Sequence, residues 1–484
     1  MMTRRGCVLA AFLPLLLSCG AVAGDAPDPG IDGTLVAARA DLHAVLGATA
    51  TGEIVVVTYD GTVLALDSAT SFAPTVIGTY GGRLGHDLEI EIAGGAVLVW
   101  RDRGQDGWDL DAWTRASGRR AVATGLPSEP LGGVTSATLD GQRIVFATGG
   151  VFTGGVGSDI LSYGVTLSGA AKPVQIARLP AGYNAVFELS LSGGRAVVKR
   201  YSDVALADDL ATRGWPESQE PWQAQWFDED WQPLREIAHS EDIALGDTAL
   251  RVATNGADGE IAIESLDGSP PIAVDHGCRF AEAFFLPGEE DLVYSCRGVA
   301  YRFDVATGAK TALGGGMAGA HRLQCGDAAC HEWVGGPNHS VVAIGGGAPL
   351  AGPETATFST VHGDVDGELS PDGRFAKAPA DDGAISVVEV GHLDHRVVLD
   401  RAARGLTWLD GATFVVVTTT ETDKRNEDAS FAVTWRDPSA SGAGGSRLVT
   451  RGVFSPFARA SEHALYAISK SSDRPNGLYR FPLP

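Results

Sequence analysis

Three observations predict an all-β chain folded as a single β-propeller of four-stranded antiparallel blades. A strand–turn–strand unit recurs at intervals of about 40 to 50 residues, the spacing of a repeat architecture. Across 484 residues, 63 glycines and 24 prolines punctuate short stretches rich in Val, Ile, Thr and aromatics, and few helical periodicities interrupt them. A four-stranded unit buries both faces only against neighbours, so consecutive units close into a ring. The reading divides the chain into an export signal over 1–18, a tether over 19–33 and the propeller over 34–484. About eight blades are expected, within a range of seven to ten.

The first element is an address. Arg4 and Arg5 precede the apolar stretch from Val8 to Leu17, which is too short to span a bilayer and has the shape of a signal h-region. Leu16-Leu17-Ser18-Cys19-Gly20 fits a lipobox, whose cysteine thiol is acylated and becomes the new N-terminus. Ala21-Val22-Ala23 before Gly24 offers ordinary signal cleavage as the alternative. Both routes export the chain. Pro27, Pro29 and neighbouring glycines suit a flexible tether between a lipid anchor and a folded body. The expected location is the outer membrane or periplasm, lipid-anchored, with secretion as the alternative.

The hairpins follow in order. Glu53 to Tyr59 turns at Asp60-Gly61 into Thr62 to Asp67, and Asp-Gly between apolar stretches is a strong hairpin signal. Ala96 to Trp100 leads through Gln105-Asp106-Gly107 into Trp108 to Trp113, and Gln142 to Ala147 is followed by Asp159 to Thr166. Arg195 to Arg200 meets Trp222 to Phe227 after a long insert, and Ala249 to Thr254 pairs with Glu260 to Ser265. Further on, Asp291 to Cys296 pairs with Val299 to Asp304, and Phe414 to Thr419 with Phe431 to Trp435. The last hairpin, Ala464 to Ser469 with Gly477 to Phe481, lacks a fourth strand, and Gly33 to Arg39 is expected to supply it and seal the ring.

Leu369-Ser370-Pro371-Asp372-Gly373-Arg374-Phe375, followed by Asp381-Asp382-Gly383 and Ala384 to Val388, resembles the TolB-type, WD-repeat-like bacterial β-propellers. In that family a Ser-Pro-Asp-Gly turn joins the first and second strands of a blade. Proline presets φ, Asp bonds its own backbone and Gly supplies φ > 0. The resemblance is full at this unit and partial at three or four others. It implies the fold and a role in docking partners in the cell envelope.

Six cysteines are present. Cys7 lies in the signal and Cys19 is the lipidation candidate, leaving Cys278, Cys296, Cys325 and Cys330 as disulfide candidates in an oxidising compartment. Local pairing, Cys278 with Cys296 and Cys325 with Cys330, is one of three pairings. A zinc cluster of Cys325, Cys330, His331 and His339 is the alternative, although the spacing matches no common zinc module. His331-Glu332 lacks the second histidine of the H-E-x-x-H helix, since Gly335 stands there.

Other chemistry is sparse. The net charge of −23 disfavours nucleic acid and anionic lipid as partners. Asp102, Asp106, Asp109 and Asp111, or Asp364, Asp366 and Glu368, supply enough oxygens to raise calcium, but Asp-rich turns serve propellers conformationally. No G-x-S-x-G or S-x-x-K motif occurs, and Gly308-Ala309-Lys310-Thr311 lacks the glycine that a phosphate loop places before its lysine. His321, His331, His339, His362, His392 and His395 scatter through the C-terminal half. No catalytic, cofactor-binding or metal-binding residue is assigned.

Two insertions break the repeat. The segment from Ser202 to Trp231 holds Trp215, Trp222, Trp226 and Trp231 amid acidic residues, and these four are the candidates for partner contact. Trp222 and Trp226 alternate along a strand and also suit a blade core. The charged stretch from Glu421 to Ser430 reads as a solvated hairpin tip. The expected function is a non-enzymatic envelope scaffold that binds a protein partner. A lyase or hydrolase acting on envelope or extracellular polysaccharide and a calcium-stabilised ligand-binding module are the alternatives.

Overall fold

The structure, a computed structural model, describes most of residues 31–484; residues 1–30, 150–158, 203–221, 345–355, 361–369, 421–429 and shorter loop stretches lie outside the described residues, as do the side chains of 313–369. The described strands form seven four-stranded sheets, one three-stranded sheet and one seven-stranded sheet. Apart from the N-terminal strand of the seven-stranded sheet, strands within each sheet follow chain order and pair antiparallel, as successive hairpins demand. This is the expected β-propeller.

The first blade is built from Leu42–Ala48, Glu53–Thr58, Thr62–Asp67 and Ala73–Thr79. Its two middle strands are buried almost end to end, with Val55, Val57, Val63 and Ala65 on one face and Ile54, Val56, Leu64 and Leu66 on the other. The first set packs on the second blade and the second set on the chain's C-terminal strands. That two-sided burial explains why these strands read as continuous apolar stretches rather than alternating ones. First strands of adjacent blades touch around the axis.

Every hairpin expected from the sequence is present: Ala96–Asp102 with Trp108–Thr114, Arg143–Thr148 with Ile160–Thr166, Arg195–Ser202 with Trp222–Phe227, Arg251–Asn255 with Ile261–Ser265, Asp291–Cys296 with Val299–Asp304, and Phe414–Thr419 with Phe431–Arg436. The three-stranded sheet begins at Phe375–Pro379. The residues that precede it, 361–369, lie outside the described residues.

The seven-stranded sheet joins two blades through one long strand, Ser446–Arg459, which turns over at Gly452 (φ +63°) and Ser455 (φ +46°). Its first part pairs with Phe431–Arg436 and its second with Ala464–Ser469. Gly477–Pro482 continues the closing blade, and Thr34–Ala37 completes it, with Thr34 opposite Arg480 and Leu35 opposite Tyr479. The N-terminal strand thus caps the C-terminal edge, as the missing fourth strand required.

In an antiparallel meander the turns joining strands one and two, and three and four, lie on one face of the ring, here the 1–2 face. The 2–3 turns and the connections between blades lie on the other. On the 1–2 face neighbouring turns are stitched together: Ala50 N–H donates to Gly94 O at 2.7 Å, and Gly95 N–H to Thr138 O at 3.1 Å. Gly94 and Gly95 are required by proximity as well as conformation. Gly94 has φ +49°, and a Cβ on Gly95 would sit 2.3 Å from Leu139 O. Gly95→Ala should therefore force the second and third blades apart locally and cost about 1–3 kcal/mol; a thermal melt matching the parent protein would show that the stitch carries no stability.

Candidate functional site

A cavity of about 910 Å³ opens on the 1–2 face, among turns of the third, fourth and fifth blades. Its walls come from Thr138 to Asp140 in the third blade, Ser192, Gly194, Glu229 and Asp230 in the fourth, and Asp247 in the fifth. These positions are far apart in sequence and meet only because each begins or ends a blade strand.

The turn from Thr138 to Arg143 is fixed locally. Thr138 N–H donates to Arg143 O at 3.0 Å, Arg143 N–H to Thr138 Oγ1 at 3.1 Å, and Gly141 adopts φ +70°. Ser370 and Phe375 repeat the same pair of bonds, so Thr138-Leu139-Asp140-Gly141 is a second copy of the Ser-Pro-Asp-Gly turn, with leucine in the proline position. Asp140 accepts from Thr138 Oγ1 at 2.6 Å and from Gln142 N–H at 3.0 Å. Those donors hold its carboxyl below the usual carboxylate range. Leu139 projects from the same turn and is 79% exposed.

Beneath the rim lies a stack of Arg143 and Trp231. The guanidinium sits 4.1 Å from the indole centroid and donates to Asp228 O at 2.6 Å. Burial lowers the Arg143 pKa, while the carboxylates of Asp228, Glu229 and Asp230 oppose that shift. Trp231 Nε1–H donates to Thr166 Oγ1 at 3.1 Å, and its ring lies where a side chain on Gly164 would be. Trp231 also holds φ +63°, a left-handed conformation that a bulky residue adopts only when its surroundings compel it.

The four candidate tryptophans therefore have separate placements. Trp226 is fully buried and its Nε1–H donates to Ala249 O at 3.1 Å, while Trp231 is 3% exposed. Both rings fasten adjoining blades instead of presenting a contact surface. Trp222 is half-buried, with Lys199 Nζ 4.1 Å from its ring centroid. Trp215 lies outside the described residues. What sequence reading missed at this face is Leu139, Asp140 and Asp247, whereas Glu229 and Asp230 belong to the acidic surroundings of the tryptophan-rich insertion; the Asp-Gly pair at Asp140 was the available signal.

Cys278 and Cys296 form a disulfide with Cα atoms 4.8 Å apart. Cys278 follows the last strand of the fifth blade, Ile272–Asp275, and Cys296 ends the second strand of the sixth, so the bond staples neighbouring blades. Asp275 is the third member of this group of potential metal ligands, but the disulfide takes both thiols. Its carboxylate accepts from Tyr294 Oη at 3.0 Å and pairs with Lys310. Burial alone would raise the Asp275 pKa; Lys310, the His276 N–H and Tyr294 outweigh it and lower it. Backbone pairing sets Cys325 opposite Cys330; their side chains, and those of His321, His331, His339, His392 and His395, lie outside the description, as do all of His362, Asp364, Asp366 and Glu368.

In the other acidic cluster, Asp102, Asp109 and Asp111 are engaged by local partners. Asp109 pairs with Arg101 at 2.7 Å, Asp111 with Arg119 at 2.6 Å, and Asp102 accepts from Gly104 N–H at 2.7 Å. Lys310, in the phosphate-loop-like Gly308 to Thr311, opens a strand and engages Asp275.

No protein-family model matches this chain, and no curated protein matches it. Among solved structures it is similar to dipeptidyl peptidase 4 of Porphyromonas gingivalis, at 9% identity over 90% of this chain and 66% of that one, with a TM-score of 0.44. It is similar to BamB from Moraxella catarrhalis at 13% identity over 75% and 97% of the two chains, with a TM-score of 0.38. The C-terminal WD40 domain of Sif2 matches at 10% identity over 71% and 93%, with a TM-score of 0.34. Likeness at this level bears on neither activity nor partner.

Two outcomes follow for stability. Trp231→Ala should cost about 3–5 kcal/mol in denaturant unfolding, and a loss under about 1 kcal/mol would return Trp231 to the surface candidates. Replacing Cys278 and Cys296 together by serine should cost about 2–4 kcal/mol, whereas an unchanged melting temperature would mean that the staple is redundant.

Proposed function

We propose that this chain is an exported, membrane-tethered β-propeller that acts as a protein-binding scaffold and docks its partner at the cavity of the 1–2 face. The observation that carries the reading is the cavity itself, assembled from turns of three blades held by buried inter-blade bonds. Ligand sites favour concave places where a rigid frame presents variable turns. An exposed leucine beside several carboxylates supplies the mixed apolar and charged surface that protein partners use. Export and anchoring through Cys19 rest on the signal and lipobox residues, and the resemblance to TolB-type blades accords with an envelope role.

Two measurements test the proposal. Mass spectrometry of the mature protein should find an acylated cysteine at position 19, and an unmodified N-terminus at Gly24 would replace the anchor with secretion. A photo-crosslinking residue in place of Leu139, activated in intact cells, should capture a reproducible envelope protein that the same residue in place of Tyr59, on the opposite face, does not. Equal capture from both positions, or none from Leu139, would remove the cavity as the docking site.

A further inference from the structure

We propose that the Cys278–Cys296 staple is also a redox-gated zinc site: once the disulfide is reduced, both thiolates bind Zn²⁺ together with the Asp275 carboxylate and the His276 imidazole. The site lies on the 2–3 face, between the fifth and sixth blades, and is separate from the docking cavity.

Backbone bonds that do not involve the sulfurs hold the ligands in place. Cys278 N–H donates to Gly259 O at 2.8 Å and Cys278 O accepts from Asn255 Nδ2 at 3.1 Å, so the fifth blade grips that residue on both its peptide groups. Cys296 ends its strand opposite Val299. In the turn that follows, Arg297 donates to His276 O at 3.2 Å and to Gly277 O at 3.3 Å, which ties the segment carrying His276 to the sixth blade. Asp275 joins the set, since one of its carboxylate oxygens and the two Sγ atoms lie within 4.8 Å of one another. A tetrahedral zinc with bonds of about 2.3 Å to sulfur and about 2.0 Å to oxygen spaces its ligand atoms about 3.5–3.8 Å apart. Atoms already this close need adjustments of only about 1 Å once the S–S bond opens. His276 Nδ1 stands 4.0 Å from Asp275 Oδ1 on an exposed ring, which places an imidazole beside the same carboxylate as the fourth ligand.

Charge and donor type select the metal. Cys278 and Cys296 belong to the apolar core shared by the two blades, where charges are tolerated only when they are matched. Two thiolates and a carboxylate carry three negative charges, which Zn²⁺ and the Lys310 ammonium paired with Asp275 balance. The carboxylate is also oriented from behind: Tyr294 Oη and Lys310 Nζ both reach Oδ2, while Oδ1 accepts the His276 N–H at 2.9 Å. Such donors fix a ligating carboxylate and its direction. A set mixing sulfur, nitrogen and oxygen suits Zn²⁺ better than Cu⁺, which favours thiolate and thioether, and better than Ca²⁺, which takes oxygen alone. The steps balance. A dithiol reductant becomes a disulfide as two electrons and two protons pass to Cys278 and Cys296, and Zn²⁺ then displaces the two thiol protons. Exchange with a disulfide oxidant draws two electrons from the thiolates, re-forms the S–S bond and releases the metal.

The test uses the full chain with Cys325→Ser and Cys330→Ser, reduced by a phosphine and then freed of it, with Co²⁺ as the spectroscopic probe. A single equivalent of Co²⁺ should give a thiolate-to-cobalt charge-transfer band together with the visible bands of a tetrahedral centre, and the oxidised protein should give neither. Zn²⁺ should displace the Co²⁺ and raise the melting temperature of the reduced protein while leaving that of the oxidised protein unchanged. Asp275→Asn keeps the size of the side chain and its bond from Tyr294, and His276→Ala alters an exposed ring. Each should weaken Co²⁺ binding by at least about tenfold. Absence of the charge-transfer band in the reduced protein, or an equal band in the oxidised one, overturns the site. A reduced protein that unfolds and is not restored by zinc overturns it as well. Unchanged affinity in Asp275→Asn or in His276→Ala overturns the assignment of that ligand.

Discussion

The hydrogen-bonded seam between Thr34–Ala37 and Gly477–Pro482 is the constraint on which the ring depends. The first and closing blades bury both faces of their middle strands, so an open ring would leave one apolar face and one strand edge exposed at each end. Closure removes both. Leu42, Ile54, Val56 and Leu64 from the start of the chain share one core with Tyr466, Ile468 and Leu478 from its end, and Ile31 packs against the cluster that contains Val449, Val453 and Phe481. Contacts of such large sequence separation contribute only when the whole ring is in place, which ties the stability of the early blades to the late ones.

Between neighbouring blades a second kind of bond recurs: a cation reaches across to a carbonyl or carboxylate of the adjacent turn. Arg143 reaches Asp228 O, Arg251 reaches Glu289 O at 2.8 Å, Arg459 reaches Gly52 O at 3.1 Å, and Arg235 joins Glu264. Because these cations are partly or wholly buried, the bonds of Arg143, Arg251 and Arg459 also satisfy carbonyls at the blade junctions. Glu289 is fully buried and accepts the N–H of Thr248 at 2.7 Å, a carboxylate version of the same link. The junctions thus carry specific polar bonds as well as apolar packing, and they compensate for a repeat that is degenerate in sequence.

Hairpins were legible because their signals are local. Period-two or continuous apolar stretches around Asp60-Gly61 or Gln105-Asp106-Gly107 determine a strand pair without reference to the rest of the chain, and the unpaired last hairpin pointed to the N-terminal strand that completes it. The site was not legible in this way. Asp140 and Asp247 lie over a hundred positions apart, and nothing in either segment shows that the ring sets them on one cavity. Trp231 illustrates the same limit: its acidic, tryptophan-rich surroundings suggested a contact loop, whereas a left-handed backbone and the space over Gly164 draw the ring into the blade junction. The Cys278–Cys296 pair was legible as a disulfide between nearby segments, but its role as a staple between blades follows only from where one blade ends.

The turns of the 1–2 face meet two demands, and their residues divide accordingly. Asp140 is bound by Thr138 and Gln142, so its carboxylate shapes the turn. Asp247 likewise accepts from Gly288 N–H in the next blade at 3.1 Å. Glu229 and Asp230 are exposed at the tip of a turn whose shape is set by Asp228, which accepts from the N–H groups of Asp230 and Gln232 at 3.0 and 2.8 Å. The fold needs Asp228 at that position and makes no comparable use of the two carboxylates beside it. Substitution there leaves the turn intact while changing the charge of the rim, so the rim's charge can vary at Glu229 and Asp230 without the ring having to readjust.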